Sequence, residues 1–259
     1  MSNTNVIGLF DSGVGGTSIW REINTLLPNE NTLYLADSKN APYGLKSKEE
    51  IIELCYKNTE FLLEQNAKLI VVACNTATTN AIKELRAKYD VPFIGIEPAI
   101  KPAANSTKTH TIGILATKGT LNSDLFHEKV KSFTNIKIIE QIGHGLVQLI
   151  ENGDIESAEM MELLETYLKP MVAQNIDYLV LGCSHYPYLV PQIKKIIPSS
   201  IKIIDSGEAV AKQTKKILEL NGIANTSQEK GKNVFYTNNE PSILENILGF
   251  HHNVFYLDF

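Results

Sequence analysis

Cysteine is scarce in this chain. Three residues among 259 are too few to staple a fold with disulfides, which points to a reducing compartment. No run of about 18 consecutive apolar residues occurs, so a conventional membrane-spanning helix is excluded. The opening residues, Met1 to Phe10, lack the basic-then-apolar order of a secretory leader. Positive charge is not in excess: 24 Lys+Arg against 29 Asp+Glu give a formal net charge of −5, the wrong sign for a general nucleic-acid binder. Metal-ligand spacing is missing too, with no CxxC or HxxxH pair, so no metal site is expected. These absences leave a cytoplasmic globular protein with no nucleic-acid or membrane partner. Its length suits one or two domains with a sizeable core.

What is present is an alternation of short β-rich runs with longer amphipathic stretches. Val6–Phe10, Leu33–Ala36, Leu69–Ala73, Phe93–Ile96 and Thr111–Leu115 read as buried strands. So do Ile136–Ile139, Tyr178–Leu181, Ile201–Ile204 and Val234–Tyr236. Near-continuous Val/Ile/Leu runs are what parallel strands covered on both faces require. Among the helical stretches, Lys48 to Gln65 is the clearest, with Ser47 and Glu50 spaced as a capping box. Strand–helix alternation along the whole length predicts an α/β fold with mostly parallel sheets. The proline-bearing stretch Glu97–His110 reads as a short helix and crossover into a second α/β unit.

A weak internal echo accompanies this pattern. Asp11-Ser12-Gly13 after the first strand returns as Asp205-Ser206-Gly207, and Val71-Val-Ala-Cys74 returns as Val180-Leu-Gly-Cys183. Cys74 and Cys183 thus each follow a buried strand and precede small polar residues. In open α/β sheets that carboxyl edge is where ligands bind. Two such units facing each other would bring both thiols to one cleft. The free N–H groups of a following helix would favour the thiolate. Cys55, inside the amphipathic helix, reads as core.

Other residues gather around these thiols. The turn Asp11-Ser-Gly-Val-Gly-Gly16 fits neither the Walker nor the dinucleotide pattern, and presents a carboxylate and a hydroxyl at the sheet edge. Asp11 could bind an ammonium group, assist proton transfer, or cap the following helix. His185 stands two residues after Cys183, placed to tune an exposed thiol or bind a carboxylate. Tyr43, in Pro42-Tyr43-Gly44, reads as a lid-like aromatic on a loop after a strand. Trp20 and Phe61 read as core, and His251-His252 as solvated.

In order and spacing these stretches resemble bacterial glutamate racemases of the cofactor-independent Asp/Glu racemase superfamily. The segments that carry the likeness are Gly8-Leu-Phe-Asp-Ser-Gly-Val-Gly-Gly16, Ala41-Pro-Tyr-Gly44, Ala73-Cys-Asn-Thr-Ala77, Leu181-Gly-Cys-Ser-His-Tyr-Pro187 and Asp205-Ser-Gly207. The resemblance implies interconversion of L- and D-glutamate for peptidoglycan, without a cofactor. It implies two pseudosymmetric, doubly wound α/β domains with the active site in the cleft between them, and it admits a homodimer. Residues 1–97 with 208–259 would form the domain carrying Cys74, and residues 98–207 the domain carrying Cys183.

Carried over by motif, Cys74 and Cys183 are the acid/base pair, Cys74 acting on D-glutamate and Cys183 on L-glutamate. Asp11, His185 and Glu151 match positions that assist proton transfer. Asp11, Ser12, Tyr43, Gly44, Asn75, Thr76, Ser184 and His185 would line the substrate site, with Thr117 and Thr120 holding a carboxylate. Ser184 and Ser38 stand where threonine is commoner, so the hydroxyl is kept. The Gln141–Gln148 segment departs further from the family pattern. Three other readings compete: a racemase for aspartate or another small amino acid, a non-enzymatic two-domain binding protein, and a cysteine hydrolase built on Cys183 and His185.

Overall fold

Apolar strands and amphipathic helices alternate as the sequence predicts. The computed structural model describes residues 3–249 and 252–259. The first unit opens with β1 (Val6–Asp11), α1 (Thr17–Leu26), β2 (Thr32–Ala36), α2 (Lys48–Glu64), β3 (Ala67–Val72), α3 (Asn75–Lys88) and β4 (Phe93–Gly95). Helix α4 (Ile100–Ser106) leads into β5 (Thr111–Ala116), α5 (Lys118–Leu121), α6 (Asp124–Lys131), β6 (Lys137–Ile142) and α7 (Leu146–Glu151). Then come α8 (Ala158–Val172), β7 (Tyr178–Gly182), α9 (Val190–Ile196) and β8 (Lys202–Ile204). The chain closes with α10 (Gly207–Leu220), β9 (Asn233–Thr237), α11 (Pro241–Leu248) and β10 (Val254–Tyr256).

Two parallel sheets result. The six-stranded sheet has the order β10-β9-β2-β1-β3-β4, and the four-stranded sheet the order β6-β5-β7-β8. The stretch β2-β1-β3-β4 matches β6-β5-β7-β8 strand for strand, so β3 corresponds to β7. The cysteine half of the sequence echo therefore reflects equivalent positions. The Asp-Ser-Gly half does not: Asp11 ends central β1, whereas Asp205 follows edge strand β8, whose counterpart is β4. Asp205 uses its carboxylate locally, accepting the Gly207 N–H at 2.8 Å.

Burial follows strand position. Strands β1, β2 and β3 have helices on both faces and are almost wholly buried. The expectation of a buried strand at 136–139 fails, because β6 is an edge strand with Lys137 and Glu140 exposed. Strand β10 has no counterpart among the sequence-derived strands; it is three residues long, and its Phe255 and Tyr256 are exposed. One apolar cluster spans both units, joining Ile7 and Trp20 to Leu181 and Leu189, each such side chain contributing about 1.5–3 kcal/mol on burial. Trp20 meets Phe235 edge-to-face at 4.7 Å, which ties late strand β9 to α1. His252 is not a freely solvated residue: its ring stands 5.0 Å from that of Trp20. His251 lies outside the described residues.

The capping box of α2 forms as read. Ser47 Oγ accepts the Glu50 N–H at 3.2 Å, and Glu50 accepts the Ser47 N–H at 2.8 Å. Ser47→Ala should cost about 1 kcal/mol. A thermal melt should register this as a fall of about 2–4 °C.

Candidate active site

Because all strands run parallel, their carboxyl ends share one edge in each sheet, and the loops that follow converge there. Asp11 ends β1, Asp37 and Ser38 follow β2, and Cys74 follows β3. From the other unit come Thr117 after β5, Glu151 at the end of α7, and Cys183 after β7. Both thiols are buried, at 4% and 6% exposure, which corrects the picture of a thiol open at the sheet edge.

Cys74 is the N-cap of α3. Its sulfur accepts the Ala77 N–H at 3.4 Å and donates to Ser12 Oγ at 3.8 Å. The helix N-terminus does favour the thiolate, yet burial dominates and pushes this thiol well above its usual range, with the Asp11 charge adding to the effect. Negative charge on Cys183 raises it further. Alkylation of Cys74 by iodoacetamide should therefore run at least about tenfold slower at pH 7 than for a free cysteine, and accelerate as the solution turns alkaline. Mass spectrometry of the labelled peptide checks this.

Cys183 keeps different company. Its sulfur lies 3.7 Å from His185 Nδ1, and His185 Nε2 lies 2.6 Å from Glu151 Oε1. Burial alone would lower the His185 pKa, but hydrogen bonds to Cys183 and Glu151 outweigh it and hold the ring well above the usual histidine range. Asp11 links the two sets. It accepts the Gly16 N–H at 2.7 Å and the Ser184 hydroxyl at 3.2 Å, but it does not cap α1, whose N-cap is Gly16 with no side-chain cap bond. Burial raises the Asp11 carboxyl despite the opposing pull of His185.

The glycines of the first turn are there for close approach, not for phosphate. A Cβ at Gly13 would stand 1.9 Å from Glu151 Oε1, and one at Gly15 only 2.2 Å from His185 Nδ1. Further bonds cross between the units. Glu151 accepts the Val14 N–H at 2.7 Å and the Ser38 hydroxyl at 2.8 Å. Thr76 meets Thr117 at 2.8 Å, Asn80 Nδ2 donates to Gly119 O at 3.1 Å, and Ser18 Oγ donates to Ser184 O at 2.8 Å. Thr117 and Thr120 are themselves 3.0 Å apart, so the three threonine hydroxyls form one cluster.

One residue behaves unlike its sequence reading. Tyr43 is fully buried and is no lid: its hydroxyl donates to Asp37 and accepts from Asn58 Nδ2. Asp37 also accepts from Asn40 and Asn238, so a buried carboxylate anchors the loop that presents Gly44. Asn75, by contrast, is 2% exposed and neither side-chain polar atom finds a partner, which is costly unless a ligand supplies one. Asp37, Asn58, Asn238 and Ser38 went unnoticed as site residues. Ser38 opens the loop after β2 that also carries Tyr43, whereas Asp37 stands just before that loop and Asn238 carries no local signal.

The cleft is shut. Both thiols are buried and hydrogen bonds cross from unit to unit, and the cavity bordered by Pro42, Gly44, Leu45, Thr117 and Gly143 measures about 30 Å³. That is far below the roughly 300 Å³ at which small-molecule pockets begin. A larger cavity of about 560 Å³ lies beside β4, lined by Arg86, Asp90 and Asn221, away from both sulfurs. Its size reflects an open groove, and it holds none of the chemistry.

Known proteins resemble this chain in sequence and fold. The model of the Asp/Glu/Hydantoin racemase family matches residues 7–214. A glutamate racemase from Ectopseudomonas mendocina is 49% identical over 82% of this chain and 81% of its own length. The crystal structure of the glutamate racemase isoform RacE1 from Bacillus anthracis superposes with a TM-score of 0.89 at 33% identity, covering 99% of this chain and 98% of that one. The Escherichia coli glutamate racemase, solved with L-glutamate and the activator UDP-MurNAc-Ala, gives a TM-score of 0.84 at 32% identity, covering 97% and 98%. With the family model spanning both cysteine-bearing strand ends, and with whole-chain likeness in sequence and fold, the chain belongs to the Asp/Glu/Hydantoin racemase family.

Proposed function

We propose that the protein is a glutamate racemase, interconverting L- and D-glutamate at Cα by cofactor-independent transfer between two cysteines, and supplying D-glutamate for peptidoglycan in the cytoplasm. We take residues 1–97 with 208–259 as one catalytic domain and 98–207 as the other. The observation that carries the reading is the pair of thiols at equivalent ends of β3 and β7, within each other's electrostatic reach. The aspartate reading has less behind it, since relatives and structures at high similarity bear the glutamate name. Among the described residues no helix is long and apolar enough to cross a membrane.

In the L-to-D direction, the Cys183 thiolate takes the Cα proton and the electron pair stays on the substrate carbon. Cys74 then delivers its own proton to the opposite face and is left as thiolate, ready for the reverse turnover. Charged His185 beside Cys183 balances negative charge there. Asp11 suits the substrate ammonium. Its charge helps keep Cys74 protonated, so an ammonium bound to Asp11 would ease formation of the Cys74 thiolate needed for D-glutamate. Asn75 and the threonine cluster offer donors to the substrate carboxylates, stabilising charge that develops in the carbanion. A shut, dry cleft keeps a thiolate poorly solvated and basic.

¹H NMR of L-glutamate in D₂O with this protein and no added cofactor tests the reading. Loss of the Cα signal together with appearance of the D-isomer is the expected result. Faster turnover of L-aspartate run alongside would overturn the substrate assignment, and no Cα exchange with either would overturn the reaction class.

A further inference from the structure

We infer that Ser38 is a positioning residue: by holding Glu151 against His185 from the opposing unit, it makes the acid–base set around Cys183 complete only when the cleft is shut. The inference rests on the reading above that Cys183 serves L-glutamate.

Glu151 is the last residue of α7, where the carbonyl end of the helix disfavours a carboxylate. What compensates is a set of donors, and two of the three come from across the cleft. Glu151 Oε1 takes the His185 ring N–H at 2.6 Å from its own unit and the Val14 N–H at 2.7 Å from the other. Oε2 takes the Ser38 hydroxyl, 2.8 Å away and 113 residues distant in sequence. Without that hydroxyl Oε2 loses its donor, and the Val14 N–H on Oε1 is left as the one bond holding the carboxylate from the opposing unit. Val14 contributes through its backbone, so Ser38 is the separable side-chain part of the clasp.

Both thiols are buried and hydrogen bonds cross the cleft, so the units must part for entry. Parting breaks both cross-cleft bonds to Glu151, and closing restores them. His185 then regains an oriented counter-charge at the moment the substrate is enclosed, and the benefit falls on proton transfer at Cys183. Nothing in this clasp touches Cys74. Its loss should raise the barrier on the L-face and leave the D-face barrier unaltered.

That asymmetry is hidden from ordinary kinetics. Substrate and product are enantiomers, so kcat/KM for the two must stay equal in every variant. Isotope effects expose it. Ser38→Ala should lower kcat/KM about tenfold for both enantiomers, as expected for losing one hydrogen bond to a charged acceptor. The primary deuterium isotope effect on kcat/KM should rise for L-[2-²H]glutamate and fall for D-[2-²H]glutamate. Ser38→Thr, which keeps the hydroxyl, should restore the pattern of the unaltered protein. Asn80→Ala removes a different cross-unit bond without touching Glu151, and should slow turnover with no opposed shift. Isotope effects that change alike, or shift the other way, or do not change in Ser38→Ala overturn the inference. Failure of the racemase reading would show separately, as absence of Cα exchange by the unaltered protein.

Discussion

Cys74→Ser should lower racemisation about 10²-fold or more in both directions, the range associated with losing a positioned acid–base group. The two proton transfers lie in series, so either direction needs both sulfurs. Serine keeps the size of the side chain and the capping acceptor for the Ala77 N–H, so α3 should begin as before. What it cannot keep is accessible ionisation, since a hydroxyl gives up its proton far less readily than a thiol. Polarimetry with each enantiomer measures the loss, and a melt close to that of the unaltered protein confirms that folding is not the cause. Activity within tenfold of the unaltered protein would end the two-thiol account.

Gly15→Ala should be nearly as damaging for a different reason. The added methyl would lie 2.2 Å from His185 Nδ1 and 2.4 Å from Cγ of the same ring. An imidazole is rigid and this one is held on its far side by Glu151, so it cannot swing clear. The units must then stop short of full closure. A displacement of about an ångström at a reacting centre can cost about 10²-fold in rate, and kcat/KM should fall by that order. The melt should move little, because the clash falls between units and not inside either sheet. Full activity in this variant would mean that the shut arrangement is not the working one.

Much of the fold was legible because parallel strands buried on both faces announce themselves as continuous aliphatic runs, as Leu69–Val72 does. Edge position leaves no mark in that pattern: β6, with Ile138 and Ile139, reads as buried although it lies at an edge, and short β10 goes unread. The thiols were legible from their place after β3 and β7, but their burial was not. A motif gives the chain's local path, and only the second unit folded over the first shows that Cys74 is desolvated. The clasp of Glu151 by Val14 and Ser38 depends on residues 137 and 113 positions apart, and no local spacing encodes such a pairing. The same holds for Asn238, which reaches Asp37 across 201 positions to steady the Tyr43 loop. The misleading half of the echo, Asp205, resembled Asp11 in sequence while serving only its own turn.

Strand β9 pairs with β2, and β10 with β9, although residues 233–256 follow the whole of the second sheet in the chain. During translation, therefore, the smaller sheet can be complete while the larger one still shows the open flank of β2, a template for wrong partners. Only residues 233–256, made after the second sheet, close that flank. Cells making this protein carry a brief aggregation hazard that a contiguous arrangement of the same two halves would avoid.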